Sequence, residues 1–286
     1  MTAPSIIEAI LKNALLEDIG EGDVTTRAVV PENHISEASL IAKETFVLAG
    51  LAFSEKIFSL VDSALIFKPG KKDGDTVRKG NVIAKISGNT GSLLAGERTA
   101  LNFLQRLSGI ATLTRKFVEN ADTPGVKITD TRKTTPGLRV LEKYAVKVGG
   151  GNNHRFGLFD GILIKDNHIN AAGGIKKAVM LAKKNAQKKF KIEVETRNPG
   201  DVRQALAAGA EIIMLDNMPL EDIKASVKII RSQNPRVLIE VSGNIKPENI
   251  RAVAKTGIDL VSTGAITHSA TAVDISMITQ TLHRIN

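Results

Sequence analysis

Six basic residues carry the clearest chemical signal in the sequence: Arg98, Arg132, Lys133, His154, Arg155 and Lys165. Arginine presents a planar pair of donors that matches a carboxylate or a phosphate, whereas lysine presents a mobile point charge. If the fold gathers these cations, they would bind a small molecule with several acidic groups. Alternatively, Arg132 and Lys133 form only an exposed turn before a helix that begins at Thr135.

Two carboxylates, Glu195 and Asp216, each stand at the end of a short β-branched run. Carboxylates at the ends of neighbouring parallel strands are able to share Mg²⁺, which prefers oxygen ligands and often bridges substrate phosphates. If they are only structural, each acid caps the following helix or pairs with a lysine. We expect Mg²⁺ as the cofactor, with Glu195 and Asp216 as its ligands.

Two glycine-containing loops, Ser242-Gly243-Asn244 and Thr263-Gly264-Ala265, follow the last two β-branched runs. In α/β barrels such loops often hold a phosphate, because glycine lets backbone N–H groups approach it and hydroxyls add donors. The same glycines also fit ordinary turns. We predict a phosphate site at these loops.

The elements that must position these residues are visible in the second half of the chain, where β-branched runs alternate with helical stretches. The runs are Val126–Thr129, Gly161–Ile164, Lys191–Val194, Glu211–Leu215, Arg236–Val241 and Ile258–Val261. This alternation is typical of βαβ units and a parallel sheet, and the compact spacing indicates an α/β barrel whose chemistry lies at the carboxyl ends of the strands. Six runs instead of eight predict an open, incomplete barrel.

The N-terminal part shows a different pattern. Short strands are expected at Ser39–Lys43, Leu65–Lys68 and Val82–Ile86, and helices at Ile6–Leu16 and Phe53–Leu60. Together they predict an α+β N-terminal domain over residues 1–112, with the C-terminal segment 272–286 packing back on it. Residues 113–271 then form the open α/β barrel catalytic domain, and a long helix from Glu97 to Ala121 links the two.

Composition limits the classes of function. The formal net charge is +9, yet seven lysines lie in one predicted amphipathic helix between Lys176 and Lys191, where they form a solvated face. One Tyr, nine Phe and no Trp leave few rings for stacking, which argues against a nucleic-acid partner. The absence of Cys excludes disulfides, thiolate nucleophiles, thiolate-bound zinc and iron–sulfur clusters.

The sequence carries no targeting or membrane signal. No basic and apolar leader opens it, and no run of about 18 apolar residues is present to cross a bilayer. We therefore expect a cytoplasmic protein without a membrane partner.

Several longer runs resemble quinolinate phosphoribosyltransferase. They are Glu17–Thr26, Glu97–Asn102, Ser108–Thr112, Asp130–Gly137, Gly149–Arg155, Ile164–His168, Glu193–Glu195, Leu215–Asn217 and Glu240–Asn244. The resemblance covers nearly the whole chain, in order and without departure at the chemical positions. It implies a decarboxylating pentosyltransferase of NAD biosynthesis that converts quinolinate and phosphoribosyl pyrophosphate, with Mg²⁺, to nicotinate mononucleotide, pyrophosphate and carbon dioxide. It also implies two domains per subunit and assembly as a homodimer or a higher homo-oligomer.

The resemblance further implies roles for individual residues. Around the two carboxylates of quinolinate it places Arg132, His154, Arg155 and Lys165, with Arg98 delivered by the neighbouring subunit. The implied catalytic residues are Lys133, Glu195 and Asp216, which address the ribose pyrophosphate and its metal. The resemblance implies that the Ser242 and Gly264 loops bind the 5′-phosphate. The full expected substrate set is Arg98, Thr131, Arg132, Lys133, His154, Arg155, Lys165, Glu195, Asp216, Ser242, Gly243, Asn244, Thr263, Gly264, Ala265 and His268.

Three other functions fit the same residues. A phosphoribosyltransferase for another acidic heterocycle would share the phosphate half of the site and differ around His154 and Lys165. An aldolase-type barrel would use Lys133 or Lys165 as a Schiff-base amine. A small-anion binding or carrier protein would bind its ligand without turnover.

Overall fold

The computed structural model describes residues 3–187 and 189–281, and in it the chain divides into two compact units. The first unit takes the described residues up to Arg115, Thr135–Gly150 and those from Ser269 onward. The second takes Lys116–Thr134 and Gly151–His268. The domain boundaries expected from the sequence, 1–112 and 113–271, stay a prediction.

The described residues form helices and strands with the following bounds. The helices are α1 (Ala3–Ile19), α2 (Val24–Val29), α3 (Leu51–Val61), α4 (Thr90–Ala121), α5 (Arg139–Val148), α6 (Asp166–Ala172), α7 (Ile175–Asn185), α8 (Pro199–Ala208), α9 (Leu220–Gln233), α10 (Ile250–Ala254) and α11 (Ala265–His268). The strands are β1 (Ile35–Ala42), β2 (Phe46–Val47), β3 (Ile66–Pro69), β4 (Thr76–Val77), β5 (Val82–Asn89), β6 (Lys127–Thr129), β7 (Ile162–Ile164), β8 (Ile192–Thr196), β9 (Ile212–Asp216), β10 (Leu238–Ser242), β11 (Leu260–Ser262) and β12 (Ile275–Thr281). None of these helices combines the length and the apolar character needed to span a membrane.

The first unit is built on a four-stranded sheet with the order β12-β1-β5-β3. Alternate residues of β1 are buried because only one face of the sheet packs on the core. That core includes Leu40, Ile86, Leu93 and Leu104, which are fully buried. The segment expected to pack back on this unit contains β12, which pairs antiparallel with β1, while residues 282–286 lie outside the described residues.

The second unit is a six-stranded parallel sheet with the order β6-β11-β10-β9-β8-β7. Every residue of β8 is buried, as expected for a parallel strand that is covered on both faces. Since β6 and β7 follow each other in the chain but lie at opposite ends of the sheet, the barrel has an open seam. The predicted fold class, an open α/β barrel with an α+β N-terminal domain, is confirmed.

The segment after α5 pairs with the free edge of β6. The N–H of Asn152 donates to the carbonyl of Ile128 at 2.7 Å, and the N–H of Asp130 donates to the carbonyl of Asn152 at 3.1 Å. This pairing brings His154 and Arg155, two and three residues further along the chain, to the carboxyl end of β6, where the N–H of His154 donates to the carboxylate of Asp130.

The alternative expectation of a helix beginning at Thr135 is wrong, because α5 begins at Arg139. Gly137 has a φ of 80°, a left-handed conformation that interrupts a right-handed helix. The N–H and hydroxyl of Thr135 instead donate to the fully buried carboxylate of Glu142, at 3.1 and 2.7 Å. The lysine-rich helix is also shorter than expected, since α7 ends at Asn185.

Candidate active site

A cavity of about 330 Å³ lies at the carboxyl ends of the second unit's strands, where α/β barrels carry their chemistry. Eight predicted site residues line it: Thr131, Arg132, Lys133, His154, Arg155, Lys165, Asp216 and Ser242. Four residues that the sequence did not single out line it too: Leu163, Met214, Glu240 and Ser262. Arg98 lies on α4 in the first unit, whereas the other predicted site residues all lie in the second.

The loop after β6 places Lys133 against the last loop of the barrel. The N–H of Lys133 donates to the hydroxyl of Thr131 at 2.9 Å, and its carbonyl accepts from the hydroxyl of Thr267 at 2.7 Å. A Cβ at Gly264 would lie 2.9 Å from Cδ of Lys133 and 3.0 Å from the ring of His268. Glycine at this position therefore lets the lysine side chain pass close to the backbone.

Arg155 combines partial burial with a neighbouring like charge. Burial and the positive charge of Arg132 lower the pKa of Arg155, against the charges of Glu193 and Asp160. Its guanidinium donates to the carbonyl of Gly161 at 3.0 Å. Arginine remains protonated despite such a shift. The guanidinium groups of Arg132 and Arg155 therefore repel each other, and a bound dianion relieves this repulsion.

His154 lies between two buried glutamates. Its Nε2 is 3.3 Å from a carboxylate oxygen of Glu193 and 3.5 Å from one of Glu240, whose residues are 4% and 1% exposed. Burial by itself lowers the pKa of His154, but the hydrogen bonds and charges of both glutamates raise it to about 10. Burial also raises the pKa of Glu193, and the charge of Glu240 adds to that rise. The raised pKa values of His154 and Glu193 therefore favour an extra proton shared by these two groups near neutral pH.

The position of that proton follows from the other side of the ring. The backbone N–H of Arg155 donates to Nδ1 of His154 at 2.8 Å. A raised pKa alone would favour a doubly protonated ring, but a proton on Nδ1 would face this N–H. The geometry decides between the two: the ring proton is on Nε2, and the extra proton lies with the buried acid whose pKa is raised, Glu193.

The predicted metal ligands lie on the neighbouring strands β8 and β9: Glu195 is the penultimate residue of β8, and Asp216 is the last residue of β9. Glu195 is 7% exposed and its carboxylate lies 3.3 Å from Nζ of Lys165. The carboxylate of Asp216 accepts from the side-chain amide of Asn217 at 2.9 Å. Two oxygen donors at one edge of the sheet fit Mg²⁺, because this ion is usually held by one or two carboxylates, substrate phosphates and water.

The Ser242-Gly243-Asn244 loop is tied to the end of β9. Asn217 and Asn244 both adopt left-handed φ angles, 53° and 52°, and Gly243 has a φ of 89°. The side-chain amide of Asn244 donates to that of Asn217 at 3.1 Å, and a Cβ on Gly243 would lie 2.2 Å from the same Asn217 oxygen. In the neighbouring predicted loop, the hydroxyl of Thr263 accepts from the N–H of Ala265 at 3.3 Å.

Glu193, Glu240 and Asn217 make contacts described above, although the sequence did not single them out as site residues. A signal for the glutamates was present, since Glu193 precedes Glu195 by two positions and Glu240 precedes Ser242 by two. Side chains two apart on a strand point to the same face. Nothing in the sequence indicated the conformation of Asn217.

Comparison with known proteins gives one consistent result. The model of the quinolinate phosphoribosyl transferase N-terminal domain matches residues 23–108, and that of the C-terminal domain matches residues 110–278. A Synechocystis protein named probable nicotinate-nucleotide pyrophosphorylase [carboxylating] is 47% identical over 95% of this chain and 92% of its own. The crystal structure of NadC from Streptococcus pyogenes aligns with a TM-score of 0.93 at 45% identity and covers 99% of both chains. The nicotinate-nucleotide pyrophosphorylase from Francisella tularensis aligns at 0.91 and 43% identity over 98% of both.

Proposed function

The chain belongs to the quinolinate phosphoribosyltransferase family, and on that premise we propose that the cavity of its second unit transfers phosphoribosyl from phosphoribosyl pyrophosphate to quinolinate. Decarboxylation then gives nicotinate mononucleotide, pyrophosphate and carbon dioxide. One observation carries this assignment to the cavity: four cations and a strand-end carboxylate line a single space at the carboxyl edge of the parallel sheet. The cations are Arg132, Lys133, Arg155 and Lys165.

Quinolinate binds by its two carboxylates on the side of Arg132 and Arg155. Planar guanidinium groups match carboxylates in pairs of hydrogen bonds, and the dianion removes the repulsion between the two arginines. Lys165 adds a third charge from the end of β7, and His154 lines the same side of the cavity. This set favours an aromatic dicarboxylate over a monocarboxylate such as nicotinate.

Phosphoribosyl pyrophosphate binds where Lys133, Asp216 and Ser242 line the cavity, and it extends to the loops that follow β10 and β11. Lys133 contacts its pyrophosphate, and the backbone of the Ser242-Gly243-Asn244 and Thr263-Gly264-Ala265 loops holds its 5′-phosphate, with Thr131 and His268 beside Lys133. When Mg²⁺ is bound, Glu195 and Asp216 hold it and it supplies positive charge to the pyrophosphate.

The residues catalyse by placement and charge. Lys133 balances negative charge on the pyrophosphate as it leaves, and the carboxylates of Glu195 and Asp216 stabilise positive charge on the ribose ring. Arg132 and Arg155 hold the quinolinate nitrogen facing the ribose carbon. Once ribosylated, the nitrogen is cationic and accepts the electron pair that remains at the neighbouring carbon when carbon dioxide departs. A solvent proton then completes the product, and no covalent bond to the enzyme is needed.

Turnover tests the substrate assignment. The protein is supplied with Mg²⁺, phosphoribosyl pyrophosphate and either quinolinate or nicotinate. We expect nicotinate mononucleotide, pyrophosphate and carbon dioxide in equal amounts from quinolinate, and little product from nicotinate. Equal turnover of nicotinate would contradict the assignment, and binding of quinolinate without turnover would support a carrier protein instead.

We also propose that the protein works as a homodimer in which Arg98 serves the neighbouring subunit's site. Arg98 belongs to α4 of the first unit, whereas the other predicted site residues belong to the second, and this assignment supports the proposal. The variants Arg98→Ala and Arg155→Ala should each have little activity at a low quinolinate concentration. The two variants are mixed, unfolded and refolded together. Random dimers then restore about a quarter of the wild-type activity, because one site in each hybrid is intact. No recovery would show that Arg98 acts within its own subunit.

The cytoplasm is the proposed location. Phosphoribosyl pyrophosphate carries several negative charges and does not cross a bilayer, so the enzyme works where this substrate is made. Cell fractionation followed by immunodetection checks the proposal, and recovery of the protein with membranes would contradict it.

A further inference from the structure

Two buried glutamates contact His154, the residue before Arg155, and the reaction above does not use these glutamates directly. We name Glu193, His154 and Glu240 the Glu–His–Glu cluster. Within the described part of the chain, Oε1 of each glutamate is buried and without a hydrogen-bond partner, while the other oxygen of each faces Nε2 of His154. Burying two carboxylates is unfavourable unless they are compensated. Their retention at this place therefore points to a role in the site.

His154 lies where two cavities meet. His154, Arg155 and Glu240 line the substrate cavity, and they also line a second cavity of about 350 Å³ that includes residues at the amino ends of the strands. At such a position, directional hydrogen bonds fix the orientation of the imidazole. Hydrogen bonds to a charged partner are also the stronger kind.

His154 is fixed at three points. Its backbone N–H donates to the fully buried carboxylate of Asp130 at 2.8 Å. Its Nε2 faces the two glutamates, and its Nδ1 accepts the backbone N–H of Arg155. The ring thus connects the buried acids to the backbone of the arginine that lines the substrate cavity.

We propose that Glu193 and Glu240 are positioning residues for the reaction: they hold His154 as the Nε2–H tautomer, and Nδ1 then fixes the backbone of Arg155 so that its guanidinium faces the quinolinate carboxylate. This inference rests on the proposed function, because it assigns the quinolinate carboxylate to Arg155.

The same three residues have the chemistry of a metal site, since one donor atom from each lies within 4.8 Å of the others. A metal on Nε2 would put the remaining ring proton on Nδ1, because a metal-bound histidine usually donates its other N–H. That proton would point at the N–H of Arg155. The geometry therefore favours a proton between the acids and the ring.

The tautomer is tested first, in the wild-type protein without substrate. Nitrogen NMR of uniformly ¹⁵N-histidine-labelled protein at pH 7 reads the protonation state of both ring nitrogens. The signals of His154 are assigned by their absence in the variant His154→Asn. We expect a neutral ring with the proton on Nε2 and an unprotonated Nδ1. A doubly protonated ring, or a metal in stoichiometric amount that Glu240→Gln removes, overturns the proposal. This readout does not depend on which reaction the protein catalyses.

The positioning role is then tested with Glu240→Gln and Glu193→Gln, using steady-state kinetics for turnover of quinolinate and calorimetry for the affinity of phosphoribosyl pyrophosphate. We expect kcat/KM for quinolinate to fall about 10- to 100-fold through misplacement of Arg155, with affinity for phosphoribosyl pyrophosphate within about twofold of wild type. The matched control is Glu211→Gln, whose carboxylate accepts the N–H of Ile192 at the other end of the sheet and which we expect to change neither constant. Equal weakening of both ligands, or no change for quinolinate, contradicts the positioning role.

Failure of the inference is distinguishable from failure of the proposed function. If wild-type protein does not bind quinolinate, the function itself is wrong, whereas normal wild-type turnover with unaffected glutamine variants rejects only the inference. Should a glutamine variant fail to fold, the wild-type tautomer still decides.

Discussion

We propose that the two sides of the site bind anions by different means: the arginine side lines the cavity, and the asparagine side lies in the loops next to Ser242. The arginine side, comprising Arg132, His154 and Arg155, uses side-chain charge that is balanced by buried acids. The asparagine side, comprising Asn217, Gly243 and Asn244, uses left-handed backbone and side-chain amides. The difference follows from the ligands. A flat dicarboxylate needs rigid cations in fixed directions, whereas a phosphate is satisfied by several N–H groups from any side.

Backbone strain and buried charge are therefore distributed unequally between the arginine side and the asparagine side. On the arginine side the buried carboxylates raise the pKa of His154 and make the site sensitive to charge. On the asparagine side, the exposed Asn244 accepts from Asn249 through its carbonyl at 3.0 Å, and the network holds a strained turn. Substitutions on each side should consequently affect different ligands.

The largest expected effect is that of Arg155→Ala, which removes a guanidinium from the arginine side. We expect quinolinate affinity to fall about 1000-fold, since a pair of charge-assisted hydrogen bonds is lost, while affinity for phosphoribosyl pyrophosphate changes about twofold. Calorimetry with each ligand measures both constants. Arg203→Ala, on the surface of α8, serves as the control. Loss of both ligands together would break the distinction between the two sides.

Substitutions of Asn217 are expected to have a smaller effect, and on the affinity for phosphoribosyl pyrophosphate instead of quinolinate. Asn217→Ala loses both amide contacts and forces alanine into a left-handed conformation, so we expect phosphoribosyl pyrophosphate to bind about tenfold more weakly. Asn217→Gly loses the same contacts without that strain, so we expect its affinity for phosphoribosyl pyrophosphate to fall only about threefold.

Quinolinate affinity should be unchanged in both Asn217 variants. Asp122→Gly relieves another left-handed residue, at the end of α4, and provides the matched control. If Asn217→Gly and Asn217→Ala weaken the binding of phosphoribosyl pyrophosphate equally, the left-handed backbone at this position does not contribute to binding.

These examples show what the sequence could and could not predict. The strand-end cations and acids were predictable because β-branched runs mark the strands and chemistry in such barrels lies at their carboxyl ends. Glu193 and Glu240 were missed because a glutamate inside a strand resembles an ordinary surface position until the strand proves buried on both faces. The start of α5 was misplaced because the turn at Gly137 depends on a backbone angle that residue type alone does not determine.

The smallest expected effect is a pH dependence confined to the arginine side. A raised pKa means that the folded protein binds the cluster's proton more tightly than the unfolded chain does. Its stabilising contribution is therefore complete below about pH 6.5 and is lost as the pH rises toward about 10. We expect the free energy of unfolding to fall over this range in wild type and Asn217→Gly alike, and less steeply in Glu240→Gln.

Urea unfolding at a series of pH values measures these slopes, and the differences between variants cancel the contributions of the remaining titrating groups. Parallel curves for Glu240→Gln and wild type would show that the cluster does not hold the proton.

A crystal structure of the protein with quinolinate alone tests the central claim most directly, because it shows which side of the site takes the dicarboxylate. We predict both carboxylates within hydrogen-bond distance of Arg132 and Arg155, with His154 still accepting the N–H of Arg155 through Nδ1. Quinolinate seated against Ser242, Gly243 and Asn244, away from both arginines, would contradict the assignment of the two sides.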